Sequence, residues 1–128
     1  MTPKKPTMTA ARRAWMQSLK VGDPVLGWSV YWSPPGWRLM AVERLDSPHL
    51  KVSTTREEVW GAAYVGPATG YSTESGKLSA VIYPPDDVKA QEGLRVDNLR
   101  RAIRKTAWSV VPDAAVERIA AILQEAQS

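Results

Sequence analysis

Acid–base, nucleophilic and metal chemistry each need particular side chains converging on one point, and this 128-residue chain has few to converge. The carboxylates best placed for acid–base work are Glu43, Asp46, Glu57, Glu58, Asp86 and Asp87. Glu57 and Glu58 are adjacent, and neighbours on a strand point to opposite faces, so the two cannot meet on one substrate. Asp86 and Asp87 stand ahead of helical sequence, where acids offset the positive end of the helix dipole. His49 is a candidate base, but no Ser, Asp and His grouping has readable spacing around it. With one histidine and no cysteine, the chain lacks a zinc-type ligand set and any disulfide. Gly70, Gly76 and Lys77 invite comparison with a phosphate-binding P-loop. That loop needs four residues between its glycines and a Ser or Thr after the lysine, whereas five intervene here and Leu78 follows. The expectation is a protein without enzymatic activity, metal or cofactor.

Two groups of residues suit binding instead. Arg100, Arg101, Arg104 and Lys105 form a basic patch, which Lys4, Lys5, Arg12 and Arg13 extend on the sequence's other basic segment. Such a run is either a solvated helix face or a set of phosphate contacts, which position a polyanion without reading its sequence. Tyr31, Trp32, Trp37 and Arg38 flank the Ser33–Gly36 loop as a candidate aromatic interaction surface, able to stack bases or grip a protein. The plain alternative is that these rings fill the core. Phe is absent and Trp occurs six times, so indoles and four Tyr carry all the aromatic bulk.

The net charge of +4 is unevenly spread. Residues 1–22 carry five basic side chains and no acid, and Arg95–Lys105 carries five against Asp97 alone. Two positive segments flank a near-neutral centre, which suits a polyanionic partner. The start of the chain has no apolar run of the kind a secretory signal needs, and no window is long enough to span a membrane. A soluble cytoplasmic protein is expected, with no membrane partner.

Elements must position these groups. Residues 1–8 lack an apolar face and read as a flexible tail. Thr9 is an N-cap for a short helix that lays Trp15 and Leu19 on the rest. Val25–Trp32 alternates as a strand with Trp28 and Trp32 on one face, Trp37–Leu45 is a second strand, and His49–Ser53 a third after the Asp46-Ser47-Pro48 turn. Thr54–Arg56 connects to a weaker fourth strand, Glu57–Trp60. Gly61–Lys77, rich in Gly, Ser and Thr, reads as the longest irregular segment, and Leu78–Tyr83 as the fifth strand. Helical sequence follows Asp86-Asp87 and is expected to break or bend at Gly93. In its second piece Val96, Leu99 and Ile103 oppose the four basic residues, and Pro112-Asp113 begins a last helix with a Val116, Ile119, Ala120 and Leu123 stripe. Trp108 and Val110 are expected to pack between the two helices.

The run Leu19-Lys20-Val21-Gly22-Asp23-Pro24-Val25, followed by Met40–Leu45 and His49–Val52, resembles the opening of SH3-like small barrels of the KOW and Tudor kind. The segment Leu94–Leu123 is similar to tails of small barrel proteins of tailed bacteriophages and prophages. The resemblance implies a mainly β, α+β architecture: a partly open five-stranded barrel (residues 9–83, with the N-terminal helix) and a helical extension (84–128) packed on it as one domain. It also implies a binding module, in the host cytoplasm if phage-encoded. The leading expectation is contact with nucleic acid or a nucleoprotein machine. The alternative is a host protein gripped by the aromatic hairpin, and a third is self-association through the last helix's stripe.

Overall fold

The computed structural model describes residues 3–45, 48–54 and 61–127, and the chain divides into two compact units, Met1–Asn98 and Leu99–Ser128. In the first unit Thr9 caps helix α1 (Ala10–Ser18), its hydroxyl accepting the Arg12 backbone N–H at 3.1 Å. That bond satisfies one of the donors left over at a helix start. Ahead of α1, the Lys5 ammonium sits 5.1 Å from the centre of the Tyr71 ring. After α1 the Gly22 N–H donates to the Val42 carbonyl at 2.8 Å, which sets the entry into the sheet.

Strands β1 (Pro24–Ser29) and β2 (Gly36–Arg44) pair antiparallel in unbroken register from Pro24 opposite Ala41 to Ser29 opposite Gly36. β3 (Leu50–Thr54) pairs with β2 past a bulge between Val42 and Arg44. The Gly61–Lys77 segment is not irregular. It contains β4 (Ala62–Val65) and β5 (Tyr71–Glu74), and β5 turns directly into β6 (Lys77–Tyr83). Ser75 and Gly76 form the two-residue loop between Glu74 and Lys77, with φ of 53° and 79°. Two successive positive φ values match the right-handed twist of a tight hairpin. The strand expected over Glu57–Trp60, Thr55 and Arg56 of the connection before it, and Asp46 and Ser47 of the earlier turn lie outside the described residues.

The described strands make one six-stranded antiparallel sheet in the order β4-β3-β2-β1-β6-β5, where five were expected. It is nearly closed into a barrel: Gly66 N–H donates to the Tyr71 carbonyl at 3.1 Å, and the Ser72 hydroxyl to the Tyr64 carbonyl at 2.7 Å. These bonds tie the two edge strands together, so neither presents a full row of unpaired groups.

Alternation sorts the apolar residues into two clusters. Val25, Met40, Val42, Leu50, Val52, Val65 and Ile82 fill the interior with Met16 and Leu19. Their neighbours Leu26 and Val81 point the other way and pack with Trp28, Trp37 and Ala90. β1 is therefore buried on both faces from Val25 to Ser29. Trp28 and Trp32 do not share a face: β1 ends at Ser29, the strand period ends with it, and Trp32 enters the interior cluster while Trp28 belongs to the outer one.

Helix α2 (Val88–Lys105) is capped by Asp87, whose carboxylate accepts the Ala90 N–H at 2.9 Å. The helix runs unbroken through Gly93, contrary to the expected break. Gly93 is there because the Trp37 indole occupies the place where its Cβ would stand. One turn on, the buried Asp97 accepts the Trp37 backbone N–H at 2.6 Å. The cost of glycine in a helix is thus offset by a close helix–sheet contact.

The second unit holds the end of α2, a 3-10 turn at Trp108–Val110, and α3 (Asp113–Gln127). No described residue from Leu99 onward is buried. Trp108 and Val110, expected in a packed corner, are 42% and 79% exposed. Among the described residues no helix is long and apolar enough to cross a membrane.

Candidate binding surface

The hairpin aromatics are built into the fold more than displayed on it. Trp32 is buried, its indole N–H donating to the Ala62 carbonyl at 3.1 Å, with the half-buried Arg38 guanidinium 4.5 Å above its ring. Trp37 is buried against Gly93, with the Tyr83 ring centre 5.8 Å away. Of the four hairpin residues, Tyr31 alone faces solvent, at 67% exposure. A chain without Phe has to commit indoles to its core, and each buried indole N–H then needs a partner such as Ala62 supplies.

Arg12 is likewise structural. Its guanidinium donates to the Thr69 carbonyl from Nε at 3.1 Å and from Nη2 at 2.9 Å, and to the Ile82 carbonyl at 2.9 Å. It also lies 4.9 Å from the Tyr83 ring centre and 5.6 Å from that of Trp15. Burial lowers its pKa, with Tyr83, Asp87 and Tyr71 pulling the other way, while burial raises that of the Tyr83 hydroxyl. These donors fasten α1 to the barrel and leave Arg12 buried, away from the solvent where a phosphate would reach it. The signal was in the spacing: Arg12, Met16 and Leu19 are four and three apart and share the inward face, whereas Trp15 lies at its edge, half-buried. Arg13, one residue on, is exposed.

On the barrel's outer face Lys51 is already engaged. Its ammonium lies 2.7 Å from Glu43, which also accepts the Ser53 hydroxyl at 3.0 Å. The bond with Lys51 holds the Glu43 carboxyl below the usual range, and Glu43 in turn raises Lys51.

The remaining candidates lie in the second unit, on the last turns of α2. Arg100, Arg104 and Lys105 are exposed and Arg101 half-buried. At about 100° per residue the four occupy an arc of about 140°, with Leu99 and Ile103 outside it. The negative helix end accounts for Arg104 and Lys105 in the last turn, each such cation contributing about 0.3–1 kcal/mol. It does not account for the set. Arg100 with Arg104, and Arg101 with Lys105, are like-charge pairs four residues apart, each costing the helix about 0.2–0.5 kcal/mol. Asp97, three and four residues before Arg100 and Arg101, falls on the same arc, and no further acid occurs before Asp113. Trp108 stands three residues beyond Lys105 and is 42% exposed, which makes it the accessible aromatic next in sequence to the basic run. Its place after the basic run was visible in the sequence; its exposure was not.

Among the described residues no group of three or more His, Cys, Asp or Glu side chains could hold a metal ion. Comparison with protein-family models, with curated protein sequences and with solved structures gives no match.

Proposed function

We propose that the chain is a non-enzymatic small-barrel protein that binds nucleic acid through the end of α2, with Arg100, Arg101, Arg104 and Lys105 on phosphates and Trp108 stacking on a base. One observation carries this reading: four cations on one arc of α2 against Asp97 as the single acid on that arc, followed by a tryptophan 42% exposed. A net-positive run of this kind attracts a polyanion, and an exposed indole offers a π-face that any base can use. The likeness of Leu19–Val52 to SH3-like barrels of the KOW and Tudor kind agrees with a binding role, although function resides in sites and not in folds.

The test is fluorescence anisotropy with labelled single-stranded and duplex oligonucleotides. Changing the four cations to Ala is expected to abolish most binding to both. Trp108→Ala is expected to cost about 1–3 kcal/mol on single strands, a loss of about 5- to 150-fold, and much less on duplex. Unchanged affinity in the fourfold variant would overturn the assignment.

A second reading is favoured by the hairpin tip, where Val30 is 46% and Tyr31 67% exposed. It makes the barrel a protein-interaction module. Retention of one host protein after nuclease treatment, lost on Tyr31→Ala, would support it over the first.

A further inference from the structure

Helix α3 has fifteen residues, none of them buried. Helices of about this length are marginal in water without packing on one face. α3 nevertheless carries a full apolar face: on a 3.6-residue period Val116, Ile119, Ala120, Ile122, Leu123 and Ala126 share an arc of about 160°. Asp113, Glu117, Arg118 and Glu125 all fall on the remaining arc. Val116, Ile122 and Leu123 are 37%, 58% and 56% exposed, and Ile119 is half-buried.

We infer that α3 pairs with α3 of a second copy of the chain, through this face, in a two-fold dimer. In such an interface the same patch meets itself, residue i against j and j against i, so a charge near the two-fold axis would meet its own copy. This face has none, and the charges beside it are of both signs. The face is also wide enough. Its exposed apolar surface is on the order of 400 Å² per copy, while a standard interface takes about 800 Å² per partner, somewhat over half of it apolar. A lipid surface fits less well, because membrane-binding helices set Lys and Arg on the polar face and α3 sets three acids against Arg118. The dimer would bring two copies of the second unit together, and the inference stands whether or not nucleic acid binds.

The experiment is sedimentation equilibrium of the full chain, without nucleic acid, from about 1 to 200 μM. A monomer–dimer equilibrium in the micromolar range is expected, as this modest area implies. The Ile122→Asp, Leu123→Asp double variant is expected to raise the dissociation constant at least about 100-fold. Glu117→Gln, on the opposite arc, is expected to leave it within about 3-fold. Monomer mass across the whole range for the unaltered chain would overturn the inference, and so would a dimer that survives the double variant.

Discussion

Replacing Gly93 with Ala sets two well-calibrated effects against each other. In an exposed helix interior Gly→Ala stabilises by about 1 kcal/mol, because alanine loses less backbone freedom. At Gly93 the added methyl would enter the Trp37 indole at Cδ1 and Nε1. The ring cannot simply move aside, being buried, next to Tyr83, and fixed through its backbone N–H to Asp97. Overpacking of this kind costs about 1–3 kcal/mol, with more for a severe clash, so the net expectation is a loss of about 1–2 kcal/mol. For a unit of this size that lowers the melting temperature by about 5–15 °C. The assay is urea unfolding followed by circular dichroism, on Gly93→Ala alone and in a Trp37→Leu background. With the indole gone the same substitution is expected to become neutral or stabilising, and the difference between the two backgrounds measures the contact. If Gly93→Ala alone raises stability by about 1 kcal/mol, the helix is not seated on Trp37 and the packing described here is wrong.

Three further outcomes are expected. Arg12→Met removes three hydrogen bonds to the Thr69 and Ile82 carbonyls and should cost about 2–3 kcal/mol in the same unfolding assay, while Arg13→Met stays within about 0.5 kcal/mol. Ser75→Asn places a residue better suited to positive φ beside Gly76 and should stabilise the β5–β6 hairpin by a few tenths to about 1 kcal/mol. Glu43, its pKa lowered first by Lys51 and then by Ser53, contributes stability that is present above its unfolded value and lost as pH falls through the lowered folded one. The effect is small at an exposed site, so it is best seen as a low carboxyl midpoint by NMR, which Lys51→Met should move upward.

The elements legible in the sequence were those with a strong period or a strong stop. Thr9 ahead of an alanine-rich run, the alternation after Pro24, and Pro84-Pro85 after β6 all depend on local chemistry, and the structure has α1, β1 and the end of β6 there. β4 and β5 were missed because each is four residues long and sits among Gly, Ser and Thr, where the apolar period has no room to show. The Ser75-Gly76 pair was the available signal, since such a dipeptide between strand-compatible runs marks a tight hairpin. Gly93 was misread for a different reason: helix propensity is local, and the Trp37 ring that selects glycine comes from 56 positions earlier in the chain. The candidate binding residues divide in the same way. Charge is written in the sequence, so the basic run at Arg100–Lys105 could be found there. Exposure is decided by packing, which buries Trp32, Trp37 and Arg12 and leaves Trp108 and Tyr31 outside.

The central claim, that four cations on α2 contact phosphates, is tested most directly by the salt dependence of binding by the unaltered protein. Each neutralised phosphate contributes about −0.9 to the slope of log K against log salt on duplex DNA and about −0.7 on a single strand, so slopes near −3.6 and −2.8 are expected for four contacts. Between 50 and 200 mM salt that is a loss of about 150-fold on duplex and about 50-fold on single strands. A slope near zero, or no saturable binding at 50 mM salt, would contradict the account and leave the exposed hairpin tip as the surface to pursue.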